Sequence, residues 1–147
     1  MSRHSRPASQ FGRRVTEIDT AAARDREAIL RVAADYIESW FEGDAERMRR
    51  SLHPDLVKRS LDRGGLAGEP KLETIGAEDM VRATGAGRGT KHPRGHDEVI
   101  LDLYDDMATV KVTSTPYVEY LHVARFGGPW LIVNVLWQRR AEIAPDR

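Results

Sequence analysis

A tyrosine and a histidine that lie far apart in the sequence are the residues whose types could carry chemistry. Tyr36 lies four residues before Trp40, so both side chains project from one face of a helix. His122 lies in a segment rich in aromatic and β-branched residues and shares a strand face with Tyr120, since strand side chains alternate. If Tyr36 and His122 face each other, a hydroxyl and an imidazole would polarise one carbonyl or oxyanion oxygen. Histidine also titrates near neutral pH, so it could act as an acid or a base.

Each of these residues has a purely structural alternative. A buried Tyr36 whose hydroxyl meets a backbone carbonyl would simply belong to the core, and His122 could be a core histidine with a satisfied hydrogen bond. His53 follows a predicted helix and precedes Pro54. It would either bond the last carbonyls of that helix or lie at the mouth of a cavity. The residues themselves leave both readings open.

Metal and phosphate chemistry have weaker support. His92 and His96 are four residues apart, but Pro93 and Gly95 between them prevent a regular helix, and the chain has no cysteine. The glycine-rich run 85–91 lacks the ending of a phosphate-binding loop and does not follow a predicted strand, so it is better described as a flexible basic loop or lid. We therefore predict no metal site and no cofactor.

Length and charge exclude several classes of partner. The 147 residues correspond to one domain, and 23 basic side chains balance 23 acidic ones. A balanced charge gives little non-specific attraction to nucleic acids or anionic lipids. No apolar run approaches the roughly 18 residues that a membrane span needs, and the N-terminal segment lacks a secretory leader. The expectation is a cytoplasmic protein with no nucleic-acid or membrane partner.

The two ends of the chain differ from its middle in composition. Residues 1–18 are rich in arginine and serine and poor in acids and core-forming residues, which predicts a disordered tail. An organellar transit peptide has a similar composition, but no sustained apolar face accompanies these arginines. We expect one folded domain over residues 19–140 and a short C-terminal tail over 141–147.

Three helices are predicted in the first part of the chain. A long amphipathic helix begins near Asp19, and its apolar residues recur every three or four positions. Gly43 suits the left-handed position after its end, and Asp44 is a good cap for a second, shorter helix that Pro54 stops. Residues 77–84 have the spacing of a third helix.

Strands follow these helices. A short strand is predicted over 56–61, and after Asp97 the apolar period changes from 3.6 to 2, which indicates a β-hairpin. A second hairpin is predicted from 117–126 and 130–138. Helices followed by antiparallel strands indicate an α+β fold in which helices cover one face of a curved sheet. In the first hairpin one face is expected to carry Val99, Leu101 and Leu103 on one strand and Ala108, Val110 and Val112 on the next.

Three segments together carry a resemblance to a known superfamily. They are Tyr36-x-x-x-Trp40-Phe41-x-Gly43-Asp44 with Leu52-His53-Pro54-Asp55-Leu56, then Tyr120-Leu121-His122, and finally Trp130-x-Ile132-Val133-Asn134-Val135-Leu136-Trp137. This pattern resembles the nuclear transport factor 2-like superfamily, and within it the lumazine-binding, SnoaL-like branch, over about residues 22 to 138. The resemblance implies a cone-shaped, strongly curved antiparallel sheet wrapped around a long N-terminal helix. It also implies an internal cavity open at one end and a homodimer.

The same superfamily includes ketosteroid isomerases, whose pocket combines a tyrosine hydroxyl with a protonated carboxylic acid. Tyr36 lies eight residues before Asp44, as the oxyanion-hole tyrosine of those enzymes does, and His122 falls where their acid would lie. Their catalytic base falls on Ser60, beside Arg59. Neither side chain can replace a carboxylate base, so steroid-type isomerisation is not expected.

These comparisons give a predicted site. Tyr36 and His122 are its catalytic candidates, and the protein is expected to be a small-molecule pocket protein, such as a cyclase, dehydratase or isomerase acting on an apolar or aromatic substrate. A non-catalytic binding protein and a dimeric interaction module with a filled cone remain alternatives, and whether the protein is an enzyme stays open. The residues expected to bind the ligand are Trp40, His53, Val110, Val112, Tyr120, Val133, Val135 and Trp137.

Overall fold

Three helices and six strands make up the part of the chain that the computed structural model describes, residues 7–62 and 68–141. Side chains are described from residue 19 onward. The helices are α1 (Pro7–Glu42), α2 (Ala45–Ser51) and α3 (Ala77–Gly85). The strands are β1 (Leu52–Asp62), β2 (Lys71–Gly76), β3 (His96–Tyr104), β4 (Met107–Ser114), β5 (Tyr117–Arg125) and β6 (Trp130–Arg139).

Helix α1 begins at Pro7 rather than near Asp19, so residues 7–18 are helical although the sequence predicted a disordered tail there. Proline is well accepted in a first helical turn, and the alanine, the two arginines and the glutamate that follow it within this segment are good helix formers. The rest of that predicted tail, residues 1–6, lies outside the described residues, as does 142–147 at the other end.

The turn between α1 and α2 has the predicted chemistry. Gly43 has a φ of 73°, the left-handed conformation that favours glycine after a helix end. The Asp44 side chain accepts a hydrogen bond from the Arg47 backbone N–H at 3.1 Å and so caps α2. The first helix therefore ends, and the second begins, through the predicted roles of Gly43 and Asp44.

The six strands form one mixed sheet in the order β2-β1-β6-β5-β4-β3. Strands β1 and β6 run parallel and all other neighbours run antiparallel, so the predicted antiparallel pairing is observed everywhere in this sheet except between β1 and β6. Because β1 and β6 lie at distant points of the chain, no tight turn dictates their relative direction. Strand β2 was not predicted, since its residues are mostly exposed and do not alternate.

The two strands of the first hairpin differ in how well their faces were predicted. On β4, Val110 and Val112 are buried as expected. On β3, Val99 and Leu101 are exposed, and the inward positions include His96 and Glu98. The His96 ring contacts Glu98 and also Glu38 of α1, so this edge strand meets the helix through polar groups rather than apolar ones. A bulge between Ile100 and Asp102 then turns Leu103 inward.

Candidate functional site

A cavity of about 770 Å³ lies between α1, α3 and the inner face of the sheet. Its volume falls within the range of small-molecule sites, which are usually concave and largely apolar. The lining also contains charged residues, among them the last residues of β1 and β6: Asp62, Glu73, Arg88, Arg139 and Arg140. The apolar and aromatic walls are formed by Tyr36, Ile37, Trp40, Ile75, Met80, Ala83, Tyr117 and Trp137.

Three buried polar side chains form a continuous hydrogen-bond chain in the cavity wall. The Tyr36 hydroxyl donates to Oε1 of Glu119 at 2.6 Å, and Nζ of Lys58 donates to the Tyr36 oxygen at 2.6 Å. Lys58 Nζ also lies 3.7 Å from Glu119 Oε1. These residues are only 1% (Tyr36), 8% (Lys58) and 2% (Glu119) exposed. Because isolated buried charges are very costly, the pairing of Lys58 with Glu119 is what allows both to be buried.

Burial and charge shift the pKa values within this network. Burial, reinforced by the charge of Glu119 and its hydrogen bond, raises the pKa of Tyr36 well above its ordinary value of 10.0. Burial lowers the pKa of Lys58, although the Glu119 carboxylate opposes this. Tyr36 therefore stays protonated at neutral pH, and the Lys58 ammonium loses its proton more easily than an exposed lysine does.

Aromatic rings enclose the Lys58 amine. Its Nζ lies 5.1 Å from the centre of the Tyr36 ring, 5.8 Å from that of Trp40 and 5.3 Å from that of Trp137. These distances are within the range of cation–π attraction. Trp40 Nε1 donates to the Tyr117 hydroxyl at 3.2 Å, and the Tyr117 ring packs edge-on against Trp137 with 5.1 Å between ring centres. The rings thus hold one another in place around the amine.

The structure corrects the predicted position of His122. On β5 the inward residues are Tyr117, Glu119 and Leu121, whereas His122 and Tyr120 are exposed on the outer face. His122 Nδ1 lies 3.2 Å from the side-chain nitrogen of Asn134, also on that face. Because strand side chains alternate, choosing the wrong face displaces every residue at once. The expected meeting of Tyr36 with His122 is therefore wrong, and Glu119 occupies the place opposite Tyr36.

Strand β6 contains an irregularity that alternation alone could not predict. His122 pairs with Asn134 and Val123 with Ile132, which leaves Val133 as an extra residue. Ile132 and Val135 are consequently both buried, although strict alternation would place them on opposite faces. Trp137 lines the cavity, as expected from the resemblance, whereas Val133 does not.

The remaining predicted residues divide between cavity and core. Trp40 lines the cavity. Val110, Val112 and Val135 are buried in the core and are not part of the cavity wall. His53 lies elsewhere: its Nδ1 accepts a hydrogen bond from the Asp55 backbone N–H at 3.0 Å, and its ring packs against Phe126. It therefore stabilises the start of β1, a role that neither reading of this histidine had anticipated.

Lys58 and Glu119 were missed by sequence reasoning, although the sequence holds a signal for them. Glu119 lies among apolar inward residues of β5, and Lys58 takes the next inward position of β1 after the buried Leu56. Charged residues are almost never fully buried unless they are paired. Two such positions of opposite sign, Lys58 and Glu119, would have predicted a buried pair, once the inward face of β5 had been chosen correctly.

The glycine-rich loop packs against the cavity rather than standing free as a lid. A Cβ atom on Gly89 would lie only 2.4 Å from the Trp40 carbonyl oxygen and 2.5 Å from its Nε1, so glycine permits this close approach. Further along, the His92 ring packs edge-on against Phe41 and Tyr117. The loop thus buttresses the aromatic wall.

The described residues contain neither a cluster of metal ligands nor a helix that could span a membrane. Within residues 7–62 and 68–141, no group of three or more histidine, aspartate or glutamate side chains is arranged to hold a metal ion. Over the same ranges, every helix is too short or too polar to cross a membrane.

Comparisons with known proteins agree on the fold. Residues 24–138 match the model of a family described as "Putative lumazine-binding". A nuclear transport factor 2-like protein of unknown function from Silicibacter pomeroyi DSS-3 is similar in structure, with a TM-score of 0.65, 14% identity, and coverage of 81% of this chain and 98% of that one. A ketosteroid isomerase-like protein from Erwinia carotovora atroseptica has a TM-score of 0.55 at 14% identity, covering 81% and 96%.

One curated enzyme also shares sequence with part of the chain. The bifunctional NAD(P)H-hydrate repair enzyme Nnr of Methanothermobacter thermautotrophicus is 37% identical over 90 residues, which is 58% of this chain. The match spans only 17% of the length of that enzyme.

Proposed function

Since the chain belongs to this lumazine-binding family of the nuclear transport factor 2-like superfamily, we propose that its cavity binds a small, mainly apolar or aromatic molecule that carries an oxygen function. The observation behind the proposal is the cavity of about 770 Å³, whose apolar walls enclose the network formed by Tyr36, Lys58 and Glu119. Few polar groups in an otherwise apolar cavity are what fixes a ligand's orientation in small-molecule sites.

The walls and the network support different parts of such a ligand. Trp40, Tyr117 and Trp137 offer ring faces and edges on which an aromatic body would stack. The Lys58 amine has hydrogens beyond the one that it gives to Tyr36, so it can donate to a ligand oxygen. A ligand with these two features would match both the aromatic walls and the donor that Lys58 offers.

The network also favours a second candidate, a cyclase, dehydratase or isomerase that moves a proton. Ser60 lines the cavity at the position where ketosteroid isomerases have their base, and a serine cannot serve as one. Glu119 supplies a buried carboxylate elsewhere in the same cavity, with Tyr36 and Lys58 as donors beside it. A carboxylate and two donors around one substrate oxygen are the groups that general acid–base catalysis requires.

We further propose a homodimer that forms through the outer face of the sheet. Four apolar residues there are roughly half exposed: Val99 (46%), Leu101 (52%), Tyr120 (43%) and Leu136 (50%). Tyr120 lies directly opposite Leu136 in the β5–β6 pair, so their side chains form one patch. A second copy would cover this patch, since contiguous exposed apolar surface marks interaction sites. Leu136→Glu should convert the dimer into a monomer in light scattering; a wild-type monomer at high concentration would contradict this part of the proposal.

The binding proposal can be tested with a thermal-shift screen of aromatic alcohols, phenols and ketones, followed by calorimetric titration of the hits. Trp137→Leu should weaken binding by roughly tenfold, because it removes about 1.4 kcal/mol of aromatic contact. Tyr36→Phe should weaken binding through loss of the hydroxyl that orders Lys58. Tyr104→Phe is the matched control, since this tyrosine is 72% exposed and outside the cavity. Equal affinities for all four proteins would refute the cavity as the binding site.

A further inference from the structure

We propose that Lys58 is a nucleophile that forms an imine with an aldehyde or ketone held in the cavity. The inference rests on the proposed function, that the cavity binds a small apolar molecule, and it adds the class of ligand and the atom that reacts.

The position of the Lys58 amine is the first argument. Its Nζ lies at the cavity wall, held by the Tyr36 oxygen at 2.6 Å and by Sδ of Met80 at 3.5 Å, with three aromatic rings around it. The sequence contains four lysines, and the other three, Lys71, Lys91 and Lys111, are exposed or half-buried. Among the lysines in the described part of the chain, Lys58 is therefore the one that lines the cavity.

The hydrogen-bond network also gives this amine a path by which it can lose its proton. The Lys58 ammonium donates to the Tyr36 oxygen, and the Tyr36 hydroxyl donates to Glu119, both at 2.6 Å. A concerted shift along these two bonds moves one proton from Lys58 to Glu119 and leaves Tyr36 neutral. The shift converts a buried ion pair into two neutral groups, which burial favours. The lowered pKa of Lys58 agrees with this direction.

Every proton transfer of the imine-forming reaction can take place between the residues of the network and the carbonyl compound. The neutral Nζ attacks the carbonyl carbon, so an N–C bond forms as the C=O double bond opens, and a proton passes from nitrogen to oxygen to give a carbinolamine. The proton on Glu119 next goes to the carbinolamine hydroxyl, which leaves as water while the nitrogen lone pair forms the C=N bond. The net change is ammonium plus carbonyl to protonated imine plus water, with Glu119 again a carboxylate.

The surroundings favour this chemistry over a simple structural role. A lysine desolvated in an apolar pocket is the usual form of an imine-forming lysine, since only the neutral amine is nucleophilic. The aromatic walls formed by Trp40, Tyr117 and Trp137 would also pack against the substituents of the carbonyl compound.

The test is reductive trapping with benzaldehyde and cyanoborohydride at neutral pH, with the labelled lysines identified by peptide mapping. Because the lowered pKa of Lys58 raises the fraction of its amine that is neutral near neutral pH, Lys58 should be labelled faster than Lys71, Lys91 or Lys111. Labelling of Lys58 that is no faster than labelling of these internal references would overturn the inference.

Two variants and one non-carbonyl probe complete the design. Lys111→Met should leave the rate at Lys58 unchanged, whereas Tyr36→Phe should slow it, because the proton path to Glu119 is then interrupted. An unchanged rate in Tyr36→Phe would refute the proposed path. Benzyl alcohol has no carbonyl, so its binding tests the proposed cavity without testing the imine. If benzyl alcohol binds in the cavity but Lys58 is not trapped by benzaldehyde, only the imine proposal fails. If benzyl alcohol does not bind and Lys58 is not trapped, both proposals fail.

Discussion

Replacing Glu119 by glutamine should destabilise the protein strongly, because it removes the charge that compensates a buried lysine. Glu119 is 2% exposed and lies 3.7 Å from Lys58 Nζ. Breaking a buried pair in this way typically costs about 3 to 5 kcal/mol. We take about 3 kcal/mol, because the new amide can still accept the Tyr36 hydrogen bond and Lys58 can shed its proton.

The double variant Lys58→Met with Glu119→Gln separates the charge effect from the loss of packing. With both charges removed, no uncompensated charge is left, so the double variant should be more stable than Glu119→Gln alone. The coupling energy from the double-mutant cycle should exceed about 1 kcal/mol, since residues in one network are not additive. The wild type, the two single variants and the double variant would be measured by urea denaturation, with the fluorescence of the three tryptophans as the signal.

The pH dependence of the single variant adds a second readout. Burial lowers the pKa of Lys58, so the native state releases this proton at a lower pH than the unfolded chain does. The stability of Glu119→Gln should therefore rise with pH, from the lowered pKa of Lys58 up to about 10.4, where the unfolded lysine titrates. A loss below about 1 kcal/mol, additive single effects, or a flat pH profile would refute the assignment of a buried, coupled pair.

Three further predictions concern Tyr36, Gly89 and the α2 cap at Asp44. Tyr36→Phe should lose less stability than the wild type as the pH rises above about 10. The raised pKa of Tyr36 stabilises the wild type fully below the pKa of the unfolded tyrosine, and this stabilisation is lost as the pH rises through the pKa of the folded one. Urea midpoints of the two proteins that change in parallel from about pH 9 to 11, measured in roughly unit steps around the tyrosine pKa, would contradict this. Gly89→Ala should lower the free energy of unfolding by about 1 to 3 kcal/mol and weaken ligand binding, because the new Cβ displaces Trp40. Gly95→Ala, with nothing within 4 Å of its new Cβ, should do neither. Equal melting temperatures for these two variants would refute the close packing at Gly89. Asp44→Ala should cost about 1 kcal/mol in urea denaturation through loss of the α2 cap, and no change would show that the cap is unimportant.

Local chemistry made the helices predictable. The glycine at 43 and the aspartate at 44 act through their own backbone neighbours, so their roles follow from residue type. The parallel pairing of β1 with β6 depends instead on how distant parts of the chain meet, which no local pattern encodes. The inner face of β3 was predicted wrongly because its inward polar residues, His96 and Glu98, are satisfied by contacts with each other and with Glu38 of α1.

The part of the site on α1 could be predicted, because the residue pattern of that helix identifies its buried face. The part on β5 could not, because the sequence does not show which face of that strand points inward. Tyr36 and Trp40 follow from the amphipathic pattern of α1, since the opposite face is polar. On β5 both faces carry apolar or aromatic residues, Leu121 on one and Tyr120 on the other, so alternation could not select the inner one. Because the wrong face of β5 was predicted to point inward, the buried carboxylate of Glu119 was not predicted.

A crystal structure of the protein with a ligand from the thermal-shift screen tests the central claim most directly. The account predicts the ligand inside the cavity, with its oxygen within hydrogen-bond distance of Lys58 Nζ and its apolar body against Trp40 and Trp137. A ligand bound only on the outer face of the sheet, with the cavity unchanged, would contradict it.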